Sequence, residues 1–523
     1  MSATATVSTD ASLSHGVGRR SKLRFASLLV TGLTALVLMV HGYHPYAEDG
    51  GLYMAGIERL LDPALYPHGT AFVTEHLRFS LFAPMVAALV RGSNLSLPAV
   101  LLLLHLATVW LTLFAAYLLA ARCYDSQRAC AGAVSLLALW ITLPIAGTSL
   151  MLMDPYVTAR SFSTPCVLLA LTGVLDAFPL RRSARPEGRR GALVCGVSLI
   201  GASTMHPLMA AYGLGCVLVL GCMVSPLRWV RRWGTAALCL AAVGVAAAVQ
   251  AMAPAESAAY IQAERTRYYW FLGAWHWYEL VGLAAPLVLL LIASFRRPLD
   301  GRAALARMAV TCGGVAVIVA ALFARQQAAT HMVARLQPLR IFQIVYIVMI
   351  LVLGAGLAER VLRRRPMRWA AALVLLSGVM FSAERRTFPE SSHMEMPWMT
   401  PRNPWEQAFA WIRQNTPKTA LFALDAHYIT GAGEDAQCFR AIAGRSVLPD
   451  YSKDGGEVSV TPELAAAWEA GEIAQQRIDV EPDAERIAAL KPFGVDWIVL
   501  KAAARTGFDC PYANAAVKVC RLP

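Results

Sequence analysis

Long apolar stretches, separated by short polar and often basic segments, make up most of the first 383 residues of the chain. Many of them approach the roughly 20 residues that an α-helix needs to cross a bilayer. The pattern therefore predicts a polytopic α-helical membrane protein with about eleven transmembrane helices. The predicted spans are 25–40, 97–121, 129–149, 161–179, 191–204, 208–224, 234–252, 278–294, 308–324, 341–358 and 369–383.

The apolar run 79–90 is left out of this count. It has about 12 residues, too few to span, and it contains Pro84, so we expect a juxtamembrane helix lying on the outer face of the bilayer. With this assignment the inner segments carry 23 Lys and Arg and the outer loops nine. Counting 79–90 as a span would reverse the later loops, against the positive-inside rule.

Three regions follow from this topology. Residues 1–24 form a cytoplasmic N-terminal tail, 25–383 the transmembrane domain, and 384–523 an extracytoplasmic C-terminal domain. The last region is polar and begins with several prolines that mark a linker. Its periodicity predicts a small α/β domain, with helices and strands at 405–414, 420–424, 462–470, 482–490 and 495–500.

Composition agrees with the membrane prediction and excludes other classes. Hydrophobic residues make up 57% and charged residues 15% of the chain, which is more apolar than soluble domains. The net charge of +13 comes from arginine clusters between apolar runs, which is typical of cytoplasmic loops rather than of a nucleic-acid-binding face. The cysteines show no paired CxxC spacing, which argues against a zinc site. If the tail lies in an oxidising compartment, Cys510 and Cys520 are candidates for a disulfide, with Cys438 as competitor.

One polar stretch, 41–66 (HGYHPYAEDGGLYMAGIERLLDPALY), directly follows the first apolar run and opens the first outer loop, 41–96. It holds two adjacent acids, Glu48 and Asp49, on a turn made permissive by Gly50 and Gly51. Carboxylates beside a hydrocarbon boundary are costly, so this pair is a functional candidate. The alternative is a solvated loop at the end of a signal anchor.

The order of these features resembles the GT-C type of integral membrane glycosyltransferase. The resemblance rests on the acidic loop AEDGGLYMAG, the basic turn LLAARCY, the outer-face segment MHPLMA, and an outer tail that contains WEQAFAWIRQNTPKTALFALD and FRAIAGRSVLPDYSKDG. It implies transfer of a sugar from a polyprenyl-phosphate donor on the extracytoplasmic face. It also implies that a loop carboxylate acts as general base or helps to hold a divalent metal ion. Asp49 is the predicted base, with Glu48 as its neighbour, although family members more often have Asp-Glu or a lone Asp.

Further candidates lie in other predicted outer segments. A phosphate needs cations at headgroup level, and the planar guanidinium of arginine can bind two phosphate oxygens. Arg160, Arg335 and Arg340 fit this requirement, although interfacial arginines also simply extend toward headgroups. His206 could contact donor or acceptor. Asp154 could join the same cleft or serve only as a turn former before a proline.

The sequence therefore predicts a bacterial inner-membrane enzyme that works on a lipid-linked donor within the membrane lipid. A transporter or flippase of a lipid-linked substrate is the main alternative. Transporters tend to place charges and broken helices near the midplane, often in repeated halves, and we find no repeat here. A non-catalytic assembly protein of the same fold is a third possibility. The residues do not identify the sugar or the acceptor.

Overall fold

The computed structural model describes residues 7–180, 188–295 and 299–523. Most of the basic loop at 180–190 therefore lies outside the described residues, as do positions 1–6 of the predicted tail. Helix α1 (Val7–His41) already begins within that tail and continues through the first predicted span.

The described residues before position 388 are almost entirely helical. The remaining helices before residue 230 are α2 (Glu48–Leu61), α3 (Ala71–Thr74), α4 (Phe82–Ser93), α5 (Leu97–Cys123), α6 (Gln127–Leu139), α7 (Ala159–Ala177), α8 (Gly188–Met205) and α9 (Pro207–Val224). After it come α10 (Thr235–Met252), α11 (Ala258–Arg265), α12 (Trp277–Ser294), α13 (Gly301–Phe323), α14 (Met332–Arg335), α15 (Phe342–Leu357) and α16 (Pro366–Thr387).

Eight helical segments among the described residues are long and apolar enough to cross a membrane, compared with the eleven predicted. They are Ser21–His41, Leu97–Cys123, Pro207–Val224, Val230–Met252, Trp277–Ser294, Gly301–Phe323, Met332–Leu362 and Pro366–Thr387. The predicted spans 161–179 and 191–204 are the helices α7 and α8. Neither is among the helices that are long and apolar enough to cross a membrane. The span predicted at 129–149 is shorter than expected.

That shorter helix, α6, has 13 residues and ends at Leu139. At about 1.5 Å per residue it covers roughly 20 Å, less than the hydrocarbon thickness of about 30 Å. The chain then enters an irregular segment with a bridge between Pro144 and Met151. Pro144 cannot donate a backbone hydrogen bond and Gly147 weakens a helix, so the apolar run does not stay helical. Hydropathy alone missed this break.

The run predicted to lie on the bilayer surface, 79–90, contributes to α4. The preceding segment Ala71–Phe79 and α4 are bent by 101° relative to one another. The buried face of α4 includes Phe82 and Val86, which pack against Met54 of α2. This segment therefore packs against α2, the helix that begins with the acidic pair.

The helices run between two ends of the bundle, and different residues gather at each end. At one end Arg122 closes α5 and pairs with Asp176 near the end of α7, with Nε and Oδ1 2.5 Å apart. Gly301, the first residue of α13, approaches the Arg122 carbonyl at the same end. The opposite end collects the loops that contain the candidate residues.

The C-terminal region forms the predicted small α/β domain. Its elements are α17 (Pro404–Asn415), β1 (Leu421–Ala423), α18 (Phe439–Ala443), β2 (Ser446–Val447), α19 (Lys453–Val460), α20 (Ala465–Gln475), α21 (Asp483–Leu490), β3 (Trp497–Lys501), β4 (Tyr512–Ala513) and β5 (Val517–Arg521). The strand order is β2-β1-β3-β5-β4, with β1 parallel to both neighbours and β5 antiparallel to both of its own.

Side chains on β3 alternate between two cores, as the period of a strand requires. Trp497 and Val499 pack with Phe409 of α17 on one face of the sheet. Ile498 and Leu500 pack on the other face. Both faces are covered, which explains why the sequence of this strand is a continuous apolar run rather than an alternating one.

The predicted disulfide between Cys510 and Cys520 is present in the structure. It links the segment just before β4 to β5. The competing cysteine, Cys438, is a buried free thiol at the N-terminus of α18.

The C-terminal domain packs directly on the acidic first loop. The Cys438 amide donates to the Tyr46 carbonyl, and the Glu48 amide donates to the Ala436 carbonyl, both at 2.9 Å. Nearly three helical turns further along α2, Arg413 of α17 pairs with Glu58 at 2.5 Å. Loop and domain thus form one packed unit.

Candidate functional site

A cavity of about 390 Å³ lies where the membrane helices meet the C-terminal domain. Five of the seven predicted site residues line it. These are Asp49, Arg160, His206, Arg335 and Arg340. They come from α2, α7, the N-cap of α9, the end of α14 and the 3₁₀ turn before α15, so segments that are distant in sequence meet at one place.

Asp49 lies in the first turn of α2 and is held by a lysine from the C-terminal domain. Lys453 Nζ is 2.9 Å from Asp49 Oδ1, and it also forms an ion pair with Glu48. Burial alone would raise the pKa of Asp49, but Lys453, Arg160 and Arg340 hold it well below its ordinary value. Asp49 is therefore ionised at any physiological pH.

Glu48 has a different position from its neighbour. It does not line the large cavity but a second one of about 340 Å³, together with Tyr156 and Phe388. Its backbone φ is +52°, a left-handed conformation that is unfavourable for a residue with a Cβ. The hydrogen bond from its amide to Ala436 compensates for part of this cost.

The two glycines that follow serve close packing rather than an unusual backbone angle. A Cβ at Gly51 would lie 2.2 Å from Cβ of Cys438, and one at Gly50 would lie 2.9 Å from the ring of Tyr156. Both are closer than any two such atoms approach. The prediction that Gly50 and Gly51 make a turn possible was therefore wrong. Both glycines lie inside the first turn of α2.

Asp154 stands behind the cavity and holds Arg160. Both side chains are about 6% exposed, and they form a hydrogen-bonded ion pair. Burial raises the pKa of Asp154, while the charge of Arg160 lowers it. A buried charge needs a partner, so Asp154 fixes the guanidinium of Arg160 at the cavity wall and does not itself line the cavity.

Arg335 and Arg340 reach the cavity across a tight turn. Gln337 adopts a positive φ of +51°, and Pro338 begins a 3₁₀ turn directly after it. Arg335 Nη2 donates to the Val460 carbonyl at 2.7 Å, and Arg340 Nε donates to the Gln337 amide oxygen at 2.5 Å. Both arginines are thus held by neutral acceptors and line the same wall.

Sequence reasoning missed Arg267, which also lines the cavity. Its side chain donates from Nε to the Thr266 hydroxyl at 3.0 Å, and its Nη2 is buried without a hydrogen-bond partner among the described residues. The aromatic run beside it, 268–270, is typical of a membrane interface. The available sequence signal was the position of Arg267 next to this aromatic run. That position did not indicate where the arginine side chain points.

The C-terminal domain supplies further residues that were missed. Lys453, Glu457 and Val460, all on α19, line the cavity. Glu457 Oε1 lies 2.8 Å from Nδ1 of His76, a residue of the predicted outer loop. Lys453 lies in the tail segment YSKDGG, but its role depends on packing across the whole chain and could not be read locally.

His206 caps α9, its ring nitrogen accepting from the Met209 amide at 3.4 Å. Burial and then the nearby charges of Arg340 and Arg160 lower its pKa to about 3. The imidazole is therefore neutral and can act only as a hydrogen-bonding group in this state.

The cavity is strongly cationic overall. Five cationic side chains and two carboxylates line it. Arg267, Arg335 and Arg340 form no ion pair with a carboxylate in the described part of the chain. Because like charges repel and buried charges need partners, such a cluster is suited to an anion.

A larger, almost entirely apolar groove of about 610 Å³ adjoins the cationic cavity. It runs between α9, α10 and α13, and its wall includes Leu218 and Val245, which are 45% and 62% exposed. Leu336 lines both spaces. Its carbonyl accepts a hydrogen bond from Tyr212, which fixes the boundary between them.

Among the described residues, Glu48 and Asp49 belong to no group of three His, Cys or carboxylate side chains that could hold a metal ion. Among the described residues, the only such group of His and carboxylate side chains is Glu256, Glu264 and His331. At Glu48 and Asp49 the ammonium of Lys453 occupies the position that a metal ion would need. A divalent ion there would have to displace it.

No protein-family model matches the chain. No curated protein matches it either.

Proposed function

We propose that this protein is a membrane glycosyltransferase of GT-C type that takes a sugar from a polyprenyl-phosphate donor. The observation that carries the proposal is the junction at Leu336 between an anion-binding cavity and an apolar groove. A lipid phosphate has the same two parts, a charged head and a long apolar tail. Cationic groups without carboxylate partners match the head, and the lipid-facing groove matches the tail.

The roles of the residues follow from their positions. Arg267, Arg335 and Arg340 hold the phosphate, and Arg160, oriented by Asp154, adds a fourth cation to the same cavity. A charge-assisted hydrogen bond of this kind contributes about 1.5–3 kcal/mol. As the bond from the sugar to the phosphate breaks, the leaving phosphate takes the electron pair and the arginines stabilise its charge.

Asp49 then serves as the base. Its carboxylate accepts the proton of the acceptor hydroxyl while the hydroxyl oxygen bonds to the anomeric carbon. Because Lys453 holds the pKa of Asp49 low, the acceptor must displace Lys453 before this carboxylate is basic enough. The binding of the acceptor and the opening of the ion pair between Asp49 and Lys453 are therefore coupled.

The position of the cavity favours the enzyme over the transporter. It lies at one end of the helix bundle and is covered by α19 of the C-terminal domain, whereas transporters place their sites near the midplane between repeated halves. Asp49 and the arginines also belong to different elements. An acceptor at Asp49 and a donor at the arginines can therefore bind at the same time.

The setting we propose is the inner membrane of a bacterium, with the N-terminus in the cytoplasm and the C-terminal domain outside. The disulfide between Cys510 and Cys520 supports an oxidising compartment for that domain. The cavity end of the bundle would then face outward, as a lipid-linked donor on the extracytoplasmic leaflet requires.

The test compares two lipids that differ only in the phosphate. Purified protein in nanodiscs should bind undecaprenyl phosphate at least tenfold more tightly than undecaprenol, and Arg340→Ala should remove most of the difference. The same protein incubated with a polyprenyl-phosphate hexose and a membrane lipid extract should release polyprenyl phosphate. Equal affinity for both lipids would contradict the donor assignment.

A further inference from the structure

Three side chains outside the cavity form a compact, buried group with the chemistry of a metal site. Glu256 lies between α10 and α11, Glu264 in the last turn of α11, and His331 immediately before α14. Their ligand atoms all lie within 4.8 Å of one another. His331 Nδ1 is 2.7 Å from Glu256 Oε2 and 2.9 Å from Glu264 Oε2.

One imidazole nitrogen of this group faces two carboxylate oxygens at once. His331 Nε2 faces the Gln326 carbonyl at 3.2 Å, and a carbonyl can only accept, so Nε2 carries a hydrogen. In the neutral imidazole the lone pair of Nδ1 then points at two carboxylate oxygens. This arrangement is repulsive unless a proton or a metal ion lies between them.

A proton on Nδ1 would satisfy only part of the group. It can be donated to one oxygen, and the hydrogen bond goes to Glu256. Glu264, whose side chain is 0% exposed, lies 2.9 Å from this same Nδ1, and neither of its oxygens has a hydrogen bond of its own among the described residues. The nearby Tyr260 hydroxyl donates instead to the Ser459 carbonyl at 3.0 Å. A fully buried carboxylate without a hydrogen bond is costly.

The surroundings match those of a metal-bound histidine. Ligating histidines commonly donate the second ring N–H to a carbonyl, as His331 does to Gln326. Glu256 is fixed through its other oxygen, which accepts from the His331 amide at 2.7 Å and the Thr330 hydroxyl at 3.1 Å. Its Oε2 is thus aimed at the centre of the group.

We propose that His331, Glu256 and Glu264 bind a divalent transition-metal ion of the Zn²⁺ class, with a water as fourth ligand. Imidazole favours Zn²⁺ over Mg²⁺ or Ca²⁺, and one histidine with two carboxylates is a ligand set that Zn²⁺ accepts. The site uses no cysteine, so the absence of CxxC spacing does not bear on it.

The ion would act as a support for the cavity and not as a catalyst. The Arg267 amide donates to the Glu264 carbonyl at 2.9 Å, and the Arg335 amide donates to the His331 carbonyl at 2.8 Å. Two of the cavity arginines are therefore attached by backbone hydrogen bonds to two of the metal ligands. Joining α11 to α14 through an ion fixes the separation of these arginines.

The experiment measures metal content in protein purified through a tag other than polyhistidine. After equilibration with Zn²⁺ and removal of free metal, mass spectrometry should find about one zinc per chain. Replacement by Co²⁺ should give the visible absorption of a coordinated ion. Glu264→Gln and Glu256→Gln should each lower the zinc content at least fivefold, while Glu463→Gln, which alters an exposed acid elsewhere, should retain it.

Stripping the wild-type protein with a chelator supplies a readout that needs no variant. The stripped protein should melt at a lower temperature and recover on addition of Zn²⁺ but not of Mg²⁺. Zinc well below one per chain after equilibration, or full retention in Glu264→Gln, would overturn the proposal and leave a protonated His331 between two carboxylates. None of these readouts depends on lipid binding, so they fail or succeed independently of the proposed function.

Discussion

Lys453 and Asp49 form a 2.9 Å ion pair although 404 residues separate them along the chain. The carboxylate belongs to the first loop after α1, and the ammonium belongs to the C-terminal domain. Lys453 also contacts Glu48, so one cation from the C-terminal domain pairs with both acids of the first loop. The pair marks the point where the two parts of the protein depend on each other.

The first prediction concerns these acids. Asp49→Asn keeps the shape of the side chain but removes its basicity, so transfer should fall by about 10²–10⁴-fold, the range for loss of a general base. Glu48→Gln should have a smaller effect, because Asp49 still retains Lys453. Initial rates of polyprenyl phosphate release measure both. Wild-type rates in Asp49→Asn would show that Asp49 is not the general base.

The second prediction concerns the unpaired arginines. Arg267→Ala, Arg335→Ala and Arg340→Ala should each weaken binding of undecaprenyl phosphate roughly ten- to hundredfold, from about 1.5–3 kcal/mol per charge-assisted hydrogen bond. Arg340→Lys should recover only part of this loss, because a lysine cannot bind two oxygens in one plane.

The matched control for the arginines is Arg325→Ala. Arg325 is exposed, precedes α14, and does not line the cavity. It should bind the lipid phosphate like the wild type. If the cavity variants behave in the same way as this control, the arginines are interfacial anchors and the donor site lies elsewhere.

The third prediction is a pH dependence at the start of α19. Burial and the neighbouring Asp454 raise the pKa of Asp450 from 3.8 to about 7. Because the folded pKa lies above the unfolded one, the protonated form stabilises the fold, and this contribution is lost as pH rises through about 7. Hydrogen exchange of α19 should therefore be faster at pH 8 than at pH 6, after correction for intrinsic rates.

Asp450→Asn tests the assignment, because an amide cannot ionise. In this variant the exchange of α19 should no longer depend on pH in that range. The measurement has to be local, because burial also raises the pKa of Glu395 to about 8 and would add its own slope to a global melting curve. An unchanged slope in Asp450→Asn would contradict the assignment.

The fourth prediction concerns the close approach at Gly51. A methyl group there would lie 2.2 Å from Cβ of Cys438, so Gly51→Ala should loosen the contact between α2 and α18. Overpacking of this kind typically costs about 1–3 kcal/mol. Gly92→Ala is the control, because nothing lies within 4 Å of its position and alanine favours the helix. Thermal melting should be lower only in the first variant.

The fifth prediction is the orientation of the chain. Reporter fusions at Ala255 and after Leu421 should report the extracytoplasmic side, and a fusion at Arg364 should report the cytoplasm. The other cytoplasmic position expected from the charge pattern, Arg185, lies outside the described residues. A cytoplasmic signal from Leu421 would place the cavity on the wrong face for the proposed donor.

Local sequence signals predicted much of the architecture. The helix Pro404–Asn415 and the strands around Leu421 and Trp497 agree within a few residues, because each is a short apolar pattern bounded by Pro, Asn or Gly. The span predicted at 129–149 was wrong in extent, because hydropathy does not register that Pro144 interrupts the helix.

The candidate site was predicted in part for a similar reason. Charge asymmetry assigned the loops of Asp49, Arg160, His206 and the two arginines around Gln337 to one side, and residues on one side of a bundle can converge. Nothing local indicated that Lys453 would reach the first loop. That contact depends on how the C-terminal domain packs, which is a property of the whole chain.

Because the cavity takes one wall from α19, it cannot exist while the protein is being made. At about 5–20 residues per second, a ribosome needs roughly 20 to 80 s to pass from Asp49 to Lys453. During that interval the acidic loop lacks its ammonium partner and Arg335 lacks the Val460 carbonyl. The order of synthesis therefore delays any activity at this site until the tail has emerged and folded.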